Sequence, residues 1–333
     1  MTNNVNFGDV ITAMVTPFKP HKDPVIGDPN DPDKDLMLDL NGVERVANHL
    51  VKNGTDTILL TGSTGEAAQL SDTERWEIVK RVRQSTSKGT RIMVATSTNN
   101  TISTIANSKK AFELGADAIL VAVPSYIKPS PDALFIYFNA IAKAIDGKPM
   151  MIYNIPGRTA REILPETVAK LAKANPNIVG IKQSMPNMDR VTELKQLCPS
   201  NFQIYSGDDS LTLPMLALGA RGVVSVMSHL EGRMIKEMVA NFKGGDLDQA
   251  LRRHIVLHPL FSHVSMGDYA NPLPIKEALY QRGLIESPRA RTLGEMSRTC
   301  KENMKNVLSR FDKAKKDFYS YDVLSAKKKD LTR

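Results

Sequence analysis

Eight short apolar runs alternate with helix-length segments along most of the chain, and this alternation restricts the fold more than any other feature. The runs are Val10 to Val15, Thr57 to Leu60, Arg91 to Ala95, Ala118 to Val123, Met150 to Tyr153, Ile178 to Ile181, Phe202 to Tyr205 and Gly222 to Val226. An apolar run without polar alternation is the signature of a strand buried on both faces. The intervening segments have recognisable helix starts. Ser71-Asp72-Thr73-Glu74 precedes Trp76, Ile78 and Val79, and Ser130-Pro131 precedes Phe135, Phe138, Ile141 and Ile145. A serine cap followed by proline in the first turn suits helix entry. Gly54, Gly115 and Gly219 each close a helical run before a strand, where a left-handed residue is wanted. Eight β/α units imply an α/β fold of the TIM (β/α)8 barrel type. The rival is a doubly wound open sheet, but no glycine-rich dinucleotide fingerprint follows the first strand.

Two regions exceed eight repeats. Residues 19 to 35, rich in Asp and Pro, read as a long loop after the first strand. From about Gly232 the pattern is helical, with breaks near Gly244-Gly245, Gly267 to Pro274 and Ser287-Pro288. The expected organisation is therefore a barrel over 1–231, additional C-terminal helices over 232–310 and a basic tail over 311–333.

Composition excludes several classes. The 333 residues are 41% apolar with one tryptophan, as in a soluble globular protein. Two cysteines, Cys198 and Cys300, cannot build a disulfide framework, which points to a reducing compartment. No basic n-region or apolar h-region opens the chain, and no stretch has the length of a membrane span, so a cytoplasmic location without membrane contact is expected. The formal charge is +8, but residues 301–333 hold ten Lys or Arg against five Asp or Glu. Most of the excess is thus a solvated tail, and the body lacks the basic, aromatic-interleaved stripe of a nucleic-acid binder.

In such a barrel the site forms at the carboxyl ends of the strands. The sixth run ends in Ile181-Lys182-Gln183-Ser184, which sends a lysine beyond a buried strand. A lysine there either snorkels to solvent, pairs with an acid, or does chemistry. The fifth run ends in Tyr153 and is followed by Arg158, and the second is followed by Gly62-Ser63-Thr64-Gly65-Glu66. Glycines let the backbone approach a ligand, while hydroxyls and successive N–H groups suit a small carboxylate. Alone, such a string is more often a turn.

Taken in order, GSTGE, VPSYIKPS, YNIPGRT, GIKQS and YSGDD resemble the dihydrodipicolinate synthase family, within the superfamily that includes N-acetylneuraminate lyase. The likeness covers roughly residues 8 to 300. It implies a class I pyruvate aldolase that needs neither metal nor cofactor. Lys182 would form a Schiff base with pyruvate, Tyr153 would donate and accept protons, and Ser63 and Tyr126 would complete a hydroxyl relay. Ser63 stands where the family usually has threonine. Tyr126 would be supplied across a subunit interface, so a homo-oligomer, a dimer of dimers, is expected. Thr64 and the backbone of Val224 would hold pyruvate, Arg158 would receive the carboxylate of a small aldehyde, and Gly207 would also border the bound substrate.

The chemistry has its own logic. A lysine must be neutral to attack a ketone, and an iminium is an electron sink that lets the pyruvate methyl lose a proton and become a nucleophile. The resemblance also implies the second substrate: sugar-acid lyases of the superfamily usually have no arginine where Arg158 stands, which favours aspartate semialdehyde, whose carboxylate a guanidinium can grip bidentately. The competing readings are a sugar-acid lyase on the same scaffold, for which Met227 to Leu230 leave room, and a barrel paralogue that acts by binding alone. A metal-dependent aldolase rests only on His254, His258 and His263, far in sequence from the strand ends. Arg75, Ser103 and Ser125 replace histidine, glutamate and an aromatic residue of lysine-inhibited members, so weak or absent inhibition by L-lysine is expected.

Overall fold

In the computed structural model of this chain, residues 5–21 and 36–330 are described, with side chains described as far as residue 320. Ten strands form among them: β1 (Val10–Ala13), β2 (Phe18–Pro20), β3 (Leu36–Leu38), β4 (Thr57–Leu60), β5 (Arg91–Ala95), β6 (Ala118–Ala122), β7 (Met150–Asn154), β8 (Ile178–Gln183), β9 (Gln203–Ser206) and β10 (Gly222–Ser225). β1 and β4 to β10 correspond to the eight apolar runs. They pair in parallel and close into a barrel in the order β1-β10-β9-β8-β7-β6-β5-β4. The expected TIM barrel is therefore observed.

Burial on both faces has a structural cause. Along β7, Met150 and Ile152 join the layer between barrel and helices, while Met151 and Tyr153 join a second cluster inside the barrel. Side chains alternate across a strand, so both faces must be apolar when one meets helices and the other fills the lumen.

The helices are α1 (Leu40–Lys52), α2 (Asp72–Ser85), α3 (Thr101–Glu113), α4 (Pro131–Ala144), α5 (Pro156–Thr159), α6 (Pro165–Ala174), α7 (Asp189–Leu197), α8 (Thr212–Ala217), α9 (Ser228–Lys243), α10 (Leu247–Phe261), α11 (Leu273–Gln281) and α12 (Arg298–Asp330). Ser71 and Glu74 form a reciprocal capping box at α2, and Ser130 caps α4 with Pro131 in its first turn. Gly54, Gly115 and Gly219 take φ of +90°, +90° and +88°. The additional helices α10 to α12 are present; the breaks expected near 244 and 287 fall between α9 and α10 and between α11 and α12, and the one expected over 267–274 falls between α10 and α11, except that Leu273 and Pro274 already begin α11.

The region after β1 differs from the expected loop. Lys19 and Pro20 lie in β2, which pairs antiparallel with β3; residues 22–35 of that stretch lie outside the described residues. The 231/232 division falls inside α9, beside a non-helical Glu231 (φ −134°, ψ 43°). α12 continues through residue 311, where the tail was expected to start.

Candidate active site

An irregularity in the barrel aims Lys182. β7 and β8 pair Met150 with Ile178 but Met151 with Gly180, so Val179 is an extra residue in the ladder. The extra residue shifts the alternation by one. Val179 faces the lumen, Ile181 faces the helices, and Lys182 then pairs with the lumen-facing Tyr153. With a regular period of two, Val179 inward would place Lys182 outward. Gly180 permits the bulge, because a β-carbon there would lie 2.4 Å from the carbonyl oxygen of Gln203.

Lys182 is 6% exposed and its Nζ sits 4.2 Å from the centre of the Tyr153 ring. It does not snorkel to solvent. Gly207, at the end of β9, leaves room for it: a β-carbon on residue 207 would be 3.0 Å from Lys182 Cε and 1.8 Å from Ser184 Oγ. Ser184 Oγ is itself buried without a hydrogen-bond partner.

Two acids complete this wall. Burial pushes the Asp208 carboxyl up, while the positive field of Lys182 pulls it down. Burial also raises Asp209, against hydrogen bonds from the Ser225 hydroxyl and the N–H groups of Val226 (2.9 Å) and Met227 (3.1 Å). Asp209 thereby ties the end of β10 to the segment after β9. Val224 lies inside the barrel, paired with Ile11 and clustered with Tyr153.

The loop after β4 forms the opposite wall. Thr61 and Glu66 take φ of +52° and +56°, an uncommon region for residues with side chains. The Thr64 hydroxyl accepts a hydrogen bond from Asn271 Nδ2 at 2.8 Å, and Arg158 Nη2 donates to the carbonyl of the same Asn271 at 2.9 Å. Asn271 Oδ1 is buried without a partner. Ser63, Tyr153, Arg158 and Asn271 line one cavity of about 570 Å³. Asn271 joins two residues expected to bind different substrates, and sequence reasoning missed it. Its only signal is the Asn-Pro pair that precedes α11.

The expected residues are not all brought together. Lys182, Tyr153, Gly207 and Val224 meet at the lumen, and Ser63, Tyr153 and Arg158 share the cavity. No hydrogen bond links Ser63 to Tyr153 among the described residues. Tyr126 projects from the loop after β6, 88% exposed with φ +68°, and Ile127 beside it is 56% exposed. His254 and His258 lie on α10 with ring centres 6.5 Å apart. Among the described residues, no group of three or more His, Cys, Asp or Glu could hold a metal ion, and no helix is long and apolar enough to cross a membrane.

The chain resembles known proteins over most of its length. Residues 6–311 match the model of the dihydrodipicolinate synthetase family. The 4-hydroxy-tetrahydrodipicolinate synthase of Cyanothece sp. is 44% identical over 278 residues, 84% of this chain and 89% of that one. The enzyme of the same name from Desulforudis audaxviator is 41% identical over 304 residues, 91% and 97% of the two chains. A crystal structure of the synthase from Cyanidioschyzon merolae with lysine bound superposes with a TM-score of 0.85 at 36% identity, covering 92% of this chain and 98% of that one.

Proposed function

The chain belongs to the dihydrodipicolinate synthetase family, and from that premise we propose that Lys182 carries its chemistry. The reaction is the aldol condensation of pyruvate with L-aspartate 4-semialdehyde to 4-hydroxy-tetrahydrodipicolinate, the activity that names its relatives. Lys182 Nζ adds to the ketone carbon of pyruvate, and loss of water leaves an imine. Protonated, the imine withdraws electrons, and the methyl group gives up a proton to form an enamine. The enamine carbon attacks the aldehyde, whose oxygen takes a proton. The substrate amine then replaces Lys182 at the former ketone carbon, closing the ring and freeing the enzyme.

Tyr153 is assigned the proton transfers, because its side chain faces the cavity beside Lys182. Thr64 and the Val224 backbone are assigned to pyruvate, and Gly207 to the border of the bound substrate. Arg158 is assigned to the semialdehyde carboxylate; it is exposed at the cavity and its recorded partner is a carbonyl rather than an acid. Ser63 joins the relay with Tyr126 of a second copy, which fits a tyrosine held out from its own chain. A homo-oligomer follows, read as a dimer of dimers in the cytoplasm. Residues 1–231 are read as the barrel, 232–310 as its helical addition and 311–333 as the basic tail.

The placement of Lys182 against Tyr153 in a closed barrel carries this reading. A coupled assay with pyruvate and the semialdehyde tests it, with product expected from the wild type and background turnover from Lys182→Ala. Equal rates for the two proteins would overturn the assignment.

Regulation is expected to be weak. Ser103 offers no carboxylate for an ammonium group, and the buried Arg75, which lines the cavity with Ser125, adds a positive charge. L-Lysine at millimolar concentration is therefore expected to leave the rate of the pure enzyme largely unchanged; substantial inhibition in that range would refute this.

A further inference from the structure

Thr61 and Glu66 close the two ends of the loop that carries Ser63 and Thr64, and both occupy left-handed backbone. Such conformations persist only where surrounding contacts over-determine them. Inside the loop, Glu66 N–H donates to the Ser63 carbonyl at 3.1 Å and Ala67 N–H to the Gly62 carbonyl at 3.2 Å. The Glu66 side chain leaves the loop entirely. One oxygen accepts from Lys276 Nζ of α11 at 2.6 Å, and the other accepts from the backbone N–H of Arg291 at 2.9 Å. The Lys276 and Glu66 side chains are 0% and 1% exposed.

A second layer fixes the holders. The Arg291 guanidinium bonds both oxygens of Glu74, at 2.7 and 2.9 Å, and the carbonyls of Gln69 and Leu36. Lys276 Nζ and the Arg291 guanidinium each lie 4.4 Å from the centre of the Phe18 ring. Strand β2, the end of the loop and the C-terminal segment thus meet at one buried ion pair.

We infer that Glu66 and Lys276 are positioning residues, a buried pair through which the C-terminal helices hold Ser63 and Thr64 in place for the keto acid. The inference rests on the function proposed above. A buried ion pair is weak evidence of stabilisation, since two well-packed neutral side chains often replace one at little cost. A role in placement explains such a pair better. It predicts that neutralising both members spares the fold but misplaces the loop.

The test is Glu66→Gln combined with Lys276→Met, read by the pyruvate concentration that half-saturates borohydride trapping at Lys182, beside thermal melting. The double variant is expected to melt cooperatively and to need about tenfold to a hundredfold more pyruvate. Its KM for the semialdehyde should change less. A stably folded double variant with wild-type half-saturation would overturn the inference. Failure of the wild type to form any adduct would instead remove the proposed function. Hydrogen exchange on the wild-type protein gives a measurement independent of variant folding. The amides of Glu66 and Ala67 are expected to be protected before pyruvate is added; rapid exchange there in the free enzyme would also overturn the inference.

Discussion

Space around Lys182 is set by a single missing side chain. A β-carbon at 207 would fall 1.8 Å from Ser184 Oγ and 3.0 Å from Lys182 Cε; the Ser184 hydroxyl, which has no hydrogen-bond partner, can turn aside, whereas Lys182 cannot retreat far in a packed lumen. Gly207→Ala is therefore expected to cost at least tenfold in kcat with little change in melting temperature, because the serine can rotate while the lysine loses its line to the ketone. Steady-state kinetics and melting curves read this directly, and an unaltered kcat would show that residue 207 does not limit the site. The placement of Lys182, Tyr153 and Gly207 at the strand ends was legible in the sequence because each stands at or just beyond the end of an apolar run. Asn271 was not, since its importance lies in bridging Thr64 and Arg158 across more than one hundred residues of chain, a relation that no local pattern encodes.

Strand ends are held to one another by buried polar groups, and one of these titrates. His229, fully buried at the start of α9, pairs Nδ1 with the Val226 carbonyl and accepts the Val15 N–H at Nε2, 3.1 Å away. It thus joins the ends of β1 and β10 in its neutral form. Burial pulls its pKa down from 6.5 to about 4. A base with a lowered folded value binds fewer protons folded than unfolded between those limits. Its contribution is complete above about pH 6.5, falls as pH drops through that window and declines no further below about 4, a change of about 3 kcal/mol. The wild type is expected to lose this stability between pH 7 and pH 4.5 relative to His229→Gln, as measured by urea unfolding at each pH. Parallel pH profiles for the two proteins would contradict it.

Element-scale features also show where sequence reading stops. Apolar runs revealed all eight barrel strands, because burial on both faces writes itself into composition. The bulge at Val179 left no such mark, since Ile178 to Ile181 reads as one apolar run whichever way its side chains point. Gly180→Ala tests its role: the added carbon meets the Gln203 carbonyl at 2.4 Å, a backbone atom that cannot swing aside. A loss on the order of 1–3 kcal/mol or more is expected, with reduced trapping of pyruvate in the protein that remains folded. The pair β2 and β3 was likewise hidden, because each is three residues long and an Asp- and Pro-rich segment lies between them.

At the scale of the whole molecule, the barrel and the C-terminal helices act as one unit. The outward-facing apolar side chains of the barrel and those of these helices belong to one cluster, Asn271 and Lys276 reach the loop after β4, and Lys315 of α12 bonds both oxygens of Glu231 at 2.7 Å. The sequence marked these helices as additions because they exceed eight repeats. What they contribute, polar contacts to a loop far away in the chain, depends on the closed fold and could not be read beforehand. The apolar and aromatic tip at Tyr126 and Ile127 remains outside this unit, a position that suits its proposed place against a neighbouring copy.

The account depends on a covalent bond at one side chain, and reductive trapping observes that bond. Purified protein incubated with pyruvate and borohydride, digested and analysed by mass spectrometry, is expected to carry the reduced adduct on Lys182 and to lose it in Lys182→Ala. Absence of an adduct in the wild type, or its presence on another residue, would contradict the account.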